Sequence, residues 1–170
     1  MTAYVALLRA VNVGGTGKLP MAALVRMCEA AGFEDVRTYV ASGNAVFSSR
    51  LKEQRVRAVL EQHLAEHAGK PVGVLVRSAG EMAAVLAANP FRTALPNRTV
   101  AIFLHEAPPP RALEEARGRR SERLALGTRE IYVAYDEGMG HSKLRIPCAA
   151  DGTARNMNTI ARLAAMAAEI

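Results

Sequence analysis

Val36-Arg37-Thr38-Tyr39-Val40-Ala41-Ser42-Gly43-Asn44-Ala45-Val46-Phe47-Ser48 decides the fold. Val36 to Ala41 and Ala45 to Ser48 read as two short strands, with Ser42-Gly43-Asn44 as the turn between them. Glycine and asparagine tolerate the backbone angles that a tight hairpin needs. Upstream, Ala3 to Val11 is apolar on both faces, the pattern of a strand central in a sheet. A helix begins near Pro20, with Leu24, Val25 and Cys28 on one face and Gly32 as a left-handed cap before Phe33. Downstream, Lys52 to Ala68 is an amphipathic helix with Val56, Val59, Leu60 and Leu64 inward, stopped by Gly69 and Pro71. Val72 to Arg77 is a fourth strand, and Ser78 with Glu81 forms a capping box for a further helix that ends at Asn89-Pro90. This βαββαβ order predicts an α+β, ferredoxin-like unit. Its helices should cover one sheet face and leave the other for a partner or a second layer.

The second half repeats part of that order. Thr99 to Leu104 reads as a strand, Pro108-Pro109-Pro110 introduces a helix over Arg111 to Arg120, and Glu130 to Tyr135 is another strand. Asp136 to Gly140 is a turn, Gly140 to Ile146 its return partner, and Asn156 to Ala168 the last helix. With no final strand visible, this is a second, smaller and truncated α+β copy. The expected division is 1–91 for the ferredoxin-like subdomain and 92–170 for the second subdomain packed on it.

The 170 residues suffice for a core without disulfides or metal, and half of them are hydrophobic, which argues against disorder. The formal net charge of +6 is evenly spread: residues 1–91 carry 10 Lys/Arg against 7 Asp/Glu, and residues 92–170 carry 12 against 9. A basic balance favours anionic partners such as phosphate, nucleotide or nucleic acid without selecting among them. Cys28 and Cys148 fit no metal-ligand spacing, and two thiols without a leader segment give a cytoplasmic expectation. No apolar run approaches a membrane span, so no membrane partner is expected.

Three separated motifs carry a family resemblance. They are Leu7-Leu8-Arg9-Ala10-Val11-Asn12-Val13-Gly14-Gly15, the run from Gly32-Phe33 through Val36-Arg37-Thr38-Tyr39 to Ser42-Gly43-Asn44-Ala45-Val46-Phe47, and Ser142-Lys143-Leu144 followed by Thr153-Ala154-Arg155-Asn156-Met157-Asn158-Thr159-Ile160. In this order they resemble the bacterial DUF1697 family of uncharacterised proteins along nearly the whole chain. The resemblance implies an α+β fold related to the ferredoxin-like unit, and no activity. Two positions depart from the family pattern: Ala10 stands where the family often has Gly, and Met157 where it often has Trp.

Candidate sites follow from residue chemistry. Arg9, Asn12, Gly14, Gly15 and Lys18 lie after the first strand and before a helix, where backbone amides and a lysine can cradle an anion. The spacing is neither a P-loop nor a dinucleotide fingerprint, and the alternative is a glycine-rich connection that needs positive backbone angles. Ser42-Gly43-Asn44 is expected at the opposite strand end from that loop, so the two motifs should not meet. Arg155, Asn158, Thr159 and Arg162 stand at helical spacings, with Arg155 and Asn156 at or just before the first turn and Thr153 as an alternative cap. A cation there is disfavoured by the helix dipole, which suggests a compensating anion, or else a network that ties the helix to the first subdomain. Lys143 is a further anion-facing candidate. Ser142-Lys143 lacks the spacing of an activated serine-lysine pair. His63 and His67 are four apart but do not make a zinc motif, so no metal is expected, and no cofactor. Arg117, Arg119, Arg120 and Arg123 form a basic stretch tempered by Glu114, Glu115 and Glu122.

The leading functional expectation is a binding module for a phosphate-bearing small molecule or nucleotide. Its anion-facing groups would be Arg9, Asn12, Lys18, Lys143, Arg155 and Arg162. The alternatives are an enzyme of unassigned class on such a substrate, a nucleic-acid-binding protein using its basic surface, and a structural or oligomeric module that dimerises through a sheet edge.

Overall fold

The run Thr2-Ala3-Tyr4-Val5-Ala6-Leu7-Leu8 has apolar side chains to give to both sides of a sheet, and it lies at a sheet's centre. The computed structural model describes residues 1–10, 18–40 and 43–170. Its first part runs β1 (Thr2–Leu8), α1 (Met21–Ala30), β2 (Glu34–Thr38), β3 (Asn44–Ser49), α2 (Glu53–Ala68), β4 (Val74–Ser78) and α3 (Ala79–Ala87). The strands order as β2-β3-β1-β4, with every pair antiparallel. Alternation sends Tyr4, Ala6, Leu8, Ala45, Phe47, Val74 and Val76 to one face, where they pack with Leu24 and Cys28 of α1 and Val56, Leu60 and Leu64 of α2. Burial of such a leucine or valine contributes about 1.5–3 kcal/mol. Phe33, just past the Gly32 cap, stacks on Phe47 with ring centroids 4.3 Å apart.

The other face is not open. Val5, Leu7, Val46, Leu75 and Arg77 are each at most 1% exposed, so the expected open surface does not hold. The expected capping box forms: the Ser78 amide donates to Glu81 Oε1 at 2.8 Å and the Glu81 amide to Ser78 Oγ at 3.2 Å.

The second part runs β5 (Thr99–Phe103), β6 (Arg123–Leu126), β7 (Glu130–Ala134), β8 (Thr153–Asn156) and α4 (Met157–Ala168), with strand order β6-β7-β5-β8. Three expectations are corrected here. The helix over Arg111 to Arg120 does not form; residues 110–115 are turns, and the backbone of Arg117 instead exchanges two 2.8 Å hydrogen bonds with Arg145. Gly118, at φ +69°, reinforces that outcome, because a Cβ there would lie 2.2 Å from the Lys143 carbonyl oxygen. Gly140 to Ile146 is not a return strand, since Arg145 alone of these residues makes a bridge. The copy does have its final strand: β8 pairs with β5 through Val100↔Asn156, Ala101↔Arg155, Ile102↔Ala154 and Phe103↔Thr153. The protein is therefore a mixed α/β fold with two four-stranded antiparallel sheets and interspersed helices.

Contacts divide the chain into two compact units. One comprises Met1–Ala83 with Arg162–Ile170, and the other Ala84–Ala161, so the divisions fall inside α3 and α4. Among the described residues, no helix is long and apolar enough to cross a membrane.

Gly118→Ala should cost about 2 kcal/mol or more in urea unfolding, since it combines a left-handed backbone with a backbone clash. A change below about 0.5 kcal/mol would show that the Arg117 and Lys143 segments are not held together as described.

Candidate functional site

Antiparallel pairing places the carboxyl end of β1 beside the amino ends of both β3 and β4. The Leu8 amide donates to the Gly43 carbonyl at 2.9 Å, and the Arg9 amide to the Gly73 carbonyl at 2.9 Å. This corrects the expectation that the segment after β1 and the hairpin turn lie at opposite ends: Arg9, Gly43 and Asn44 share one end of the sheet. Asn44 is fully buried and closes the hairpin, its Nδ2 donating to the Tyr39 carbonyl at 2.8 Å while the Tyr39 amide donates to the Asn44 carbonyl at 3.1 Å. Asn12, Gly14, Gly15 and Ser42 lie outside the described residues.

The same end holds a pocket of about 220 Å³. Its apolar lining is Ala10, Leu19, Leu64, Ala68 and Val72, and its polar lining is Lys18, His67 and Lys70. Leu19 and Leu64 are buried, whereas Lys18, His67 and Lys70 are exposed. Three separate segments supply the cation-capable groups: the approach to α1, the last turn of α2, and the residue after the Gly69 cap. A nearby carboxylate, Glu61, accepts the Val74 amide at 3.3 Å. Two non-glycine residues at this end have left-handed backbones, Ala10 at φ +50° and Val40 at φ +48°. Such angles cost an alanine about 1 kcal/mol and a β-branched residue more, and they cluster at functional sites.

Lys143, Arg155, Asn156, Asn158 and Thr159 belong to the second unit, and Arg162 to the first. Arg155 lies in β8, just before the first turn of α4 as expected, and protein oxygens rather than a bound anion satisfy its guanidinium. It is 8% exposed, its guanidinium donates to Thr153 Oγ1 at 2.7 Å and to the Ala154 carbonyl at 2.9 Å, and burial pushes its pKa down to about 10, which leaves it charged at neutral pH. Asn156, not Thr153, caps α4, with Oδ1 accepting the Thr159 amide at 2.9 Å. Asn158 and Arg162 are exposed, as is Lys143. Met157 is buried at the start of α4.

The Ser142 hydroxyl is held by a carboxylate rather than by Lys143. It donates to Glu122 Oε2 at 2.5 Å, and Glu122 Oε1 accepts the Arg120 amide at 2.6 Å. The Ser142 bond first, and the backbone bond second, hold the Glu122 carboxyl below its ordinary range. Two of the four arginines of the basic stretch are engaged through their side chains: Arg123 makes a two-pronged bond to Asp136 at 2.8 and 2.9 Å, and Arg119 donates to the Glu122 carbonyl at 2.9 Å. Burial pushes the Cys28 thiol up to about 12, so it is a core group. Among the described residues, no group of three His, Cys, Asp or Glu could hold a metal ion.

Residues 1–132 match the family described as protein of unknown function (DUF1697). Among solved structures, the chain is similar to the conserved bacterial protein SP0830 from Streptococcus pneumoniae, with 26% identity, a TM-score of 0.81 and 98% of each chain covered. No curated protein matches it.

Ala10→Gly should raise stability by roughly 0.5 kcal/mol, since relief of the left-handed strain exceeds the added chain entropy. Ala6→Gly in β1 serves as a control that should lower it, and an equal loss at both positions would contradict the strained backbone at Ala10. Glu122→Gln should lower the melting temperature at pH 7. A folded pKa below the unfolded one gives stability that is present above the unfolded value and lost as pH falls through the folded value. The gap between the two proteins should therefore close on acidification below pH 4.5, the ordinary value for this group. A gap that stayed constant to pH 2 would show that the ionised carboxylate is not the stabilising form.

Proposed function

We propose that this chain, which belongs to the DUF1697 family of proteins of unknown function, binds a small phosphate-bearing molecule at the strand-end pocket of its first unit. The observation that carries this reading is the meeting of Lys18, His67 and Lys70 on one pocket with an apolar floor. The carbonyl end of α2 opposes an anion with about half a negative charge, but two lysine ammonium groups outweigh it. The net charge of +6 adds a general attraction for anions.

A volume of about 220 Å³ lies below the roughly 300 Å³ at which drug-sized ligands are accommodated. It suits a phosphate with a short organic part, while a nucleotide would have its base outside. Binding is favoured over catalysis because the described lining holds no Asp, Glu, Cys, Ser or Tyr to pair with His67. Engagement of Arg119 and Arg123 with neighbouring oxygens weighs against a nucleic-acid surface on that stretch. The strand order β2-β3-β1-β4, with helices after β1 and β3, supports reading the first unit as ferredoxin-like.

Thermal shift at low ionic strength tests the proposal with inorganic phosphate, pyrophosphate and glycerol phosphate, each against chloride at equal ionic strength. A phosphate ligand at a hundred times its Kd should add about 2.7 kcal/mol of stability. The Lys18→Ala, Lys70→Ala double variant, folded and with an unchanged unliganded melting point, should lose that gain. No gain in the wild-type protein, or an equal gain in the double variant, would overturn the proposal.

A further inference from the structure

The expected helix over Arg111 to Arg120 would have covered one face of the second sheet. In its place, non-helical segments pack on that face: Ala112, Leu113 and Ala116 on one side, Leu144, Ile146 and Ala149 on the other, over Val100, Ile102, Ile131, Val133 and Tyr135. Loops fill a sheet face less completely than a helix does, and a pocket of about 480 Å³ remains, within the range of small-molecule sites. Ile102 and Ala154, directly paired across β5 and β8, contribute to it with Tyr135, and Leu144, Ile146 and Pro147 supply the loop wall.

Arg117 and Arg145 also line this pocket. Their backbones form a reciprocal hydrogen-bonded pair, which sends both side chains to the same face of the bridge. Directly opposed like charges are destabilising. Both arginines are exposed, and neither has a carboxylate partner among the described residues. The half-buried Tyr135 hydroxyl also has no hydrogen-bond partner among the described residues, and burial first, then the Glu122 carboxylate, raise its pKa, so it stays a donor at neutral pH. An apolar chamber with two same-sided guanidinium groups, neither in an ion pair among the described residues, and a phenol donor has the chemistry of a receptor for a molecule that is apolar along its body and anionic at one end. Guanidinium forks match a carboxylate in two-pronged geometry.

We propose that the second unit binds an amphiphilic carboxylic acid in this pocket, with its carboxylate on Arg117 and Arg145 and its apolar body over Ile102, Tyr135 and Ala154. The site is separate in its residues from the phosphate pocket and does not depend on that reading.

Calorimetry on the full chain tests it with decanoate below its micelle concentration. Decanol (no charge), acetate (no body) and decyltrimethylammonium (reversed charge) are the comparison ligands. Decanoate should bind at least tenfold more tightly than each of them. The Arg117→Gln, Arg145→Gln double variant keeps the backbone bridge and should weaken decanoate at least tenfold while leaving decanol unchanged. The Lys18→Ala, Lys70→Ala variant should bind decanoate as the wild-type protein does. Absence of decanoate binding, equal binding of decanol, or undiminished binding by the arginine double variant would overturn the proposal. So would loss of decanoate binding in the lysine variant.

Discussion

β1 is antiparallel to both of its neighbours, and the first unit is organised by that constraint. A strand so paired must have its own carboxyl end beside the amino ends of the two strands that flank it. The segment after β1, the hairpin turn before β3 and the connection from α2 into β4 are thereby brought to a single edge. None of these segments is informative by itself. Arg9 and Lys18 border a glycine-rich stretch, Gly43 and Asn44 close a hairpin, and His67 and Lys70 flank an ordinary helix stop. Pairing across β1 makes them neighbours, and the apolar core beneath, from Leu19 to Leu64, fixes where the cationic groups project.

The two units repeat a local device. In β4 the next-to-last residue is Arg77, and in β8 it is Arg155. Each is buried, and each donates from its guanidinium to the carbonyl of the residue just before it, Val76 at 3.0 Å and Ala154 at 2.9 Å. Each is followed by a capping residue, Ser78 or Asn156, and then by a helix. A buried guanidinium is tolerated only with hydrogen-bond partners, so both strands end under the same polar constraint. With the shared strand order, this supports a duplicated architecture in which non-helical segments stand in the second copy where α1 and α2 stand in the first. That difference is what opens the larger pocket over Ile102 and Tyr135.

Much of the first sheet was legible in the sequence because its signals are local. The Ser78–Glu81 capping box, the Gly32 and Gly69 stops and the Leu24, Cys28, Val56, Leu60 and Leu64 stripes all depend on neighbours within a turn or two. Errors arose where distant partners decide. Ala112, Leu113 and Ala116 have helix-like spacing, but Arg117 spends its backbone on Arg145 and Gly118 sits against Lys143. Arg123–Leu126 and Thr153–Asn156 are four-residue strands too short for a periodic signal, and only their ladders with β7 and β5 make them strands. The helix-flanking position of Arg155 and Asn156 is local and legible, and so is the cap at Asn156, whereas the strand that carries Arg155 depends on its pairing with β5. Lys70 carries no sequence signal beyond its place at a helix end, where cations are commonplace, and the spacing of His67 from His63 points to a metal rather than to this pocket.

The central claim is that the shared strand end of the first sheet is an anion site. Its most direct measurement is a titration of the ¹⁵N-labelled protein with pyrophosphate, followed by amide chemical shifts. The account predicts saturable shifts concentrated at Ala10, Lys18, Leu19, Lys70 and Val72, with little change along β8 and α4. Shifts concentrated on Arg155 to Arg162, or spread without saturation over the exposed arginines, would contradict it.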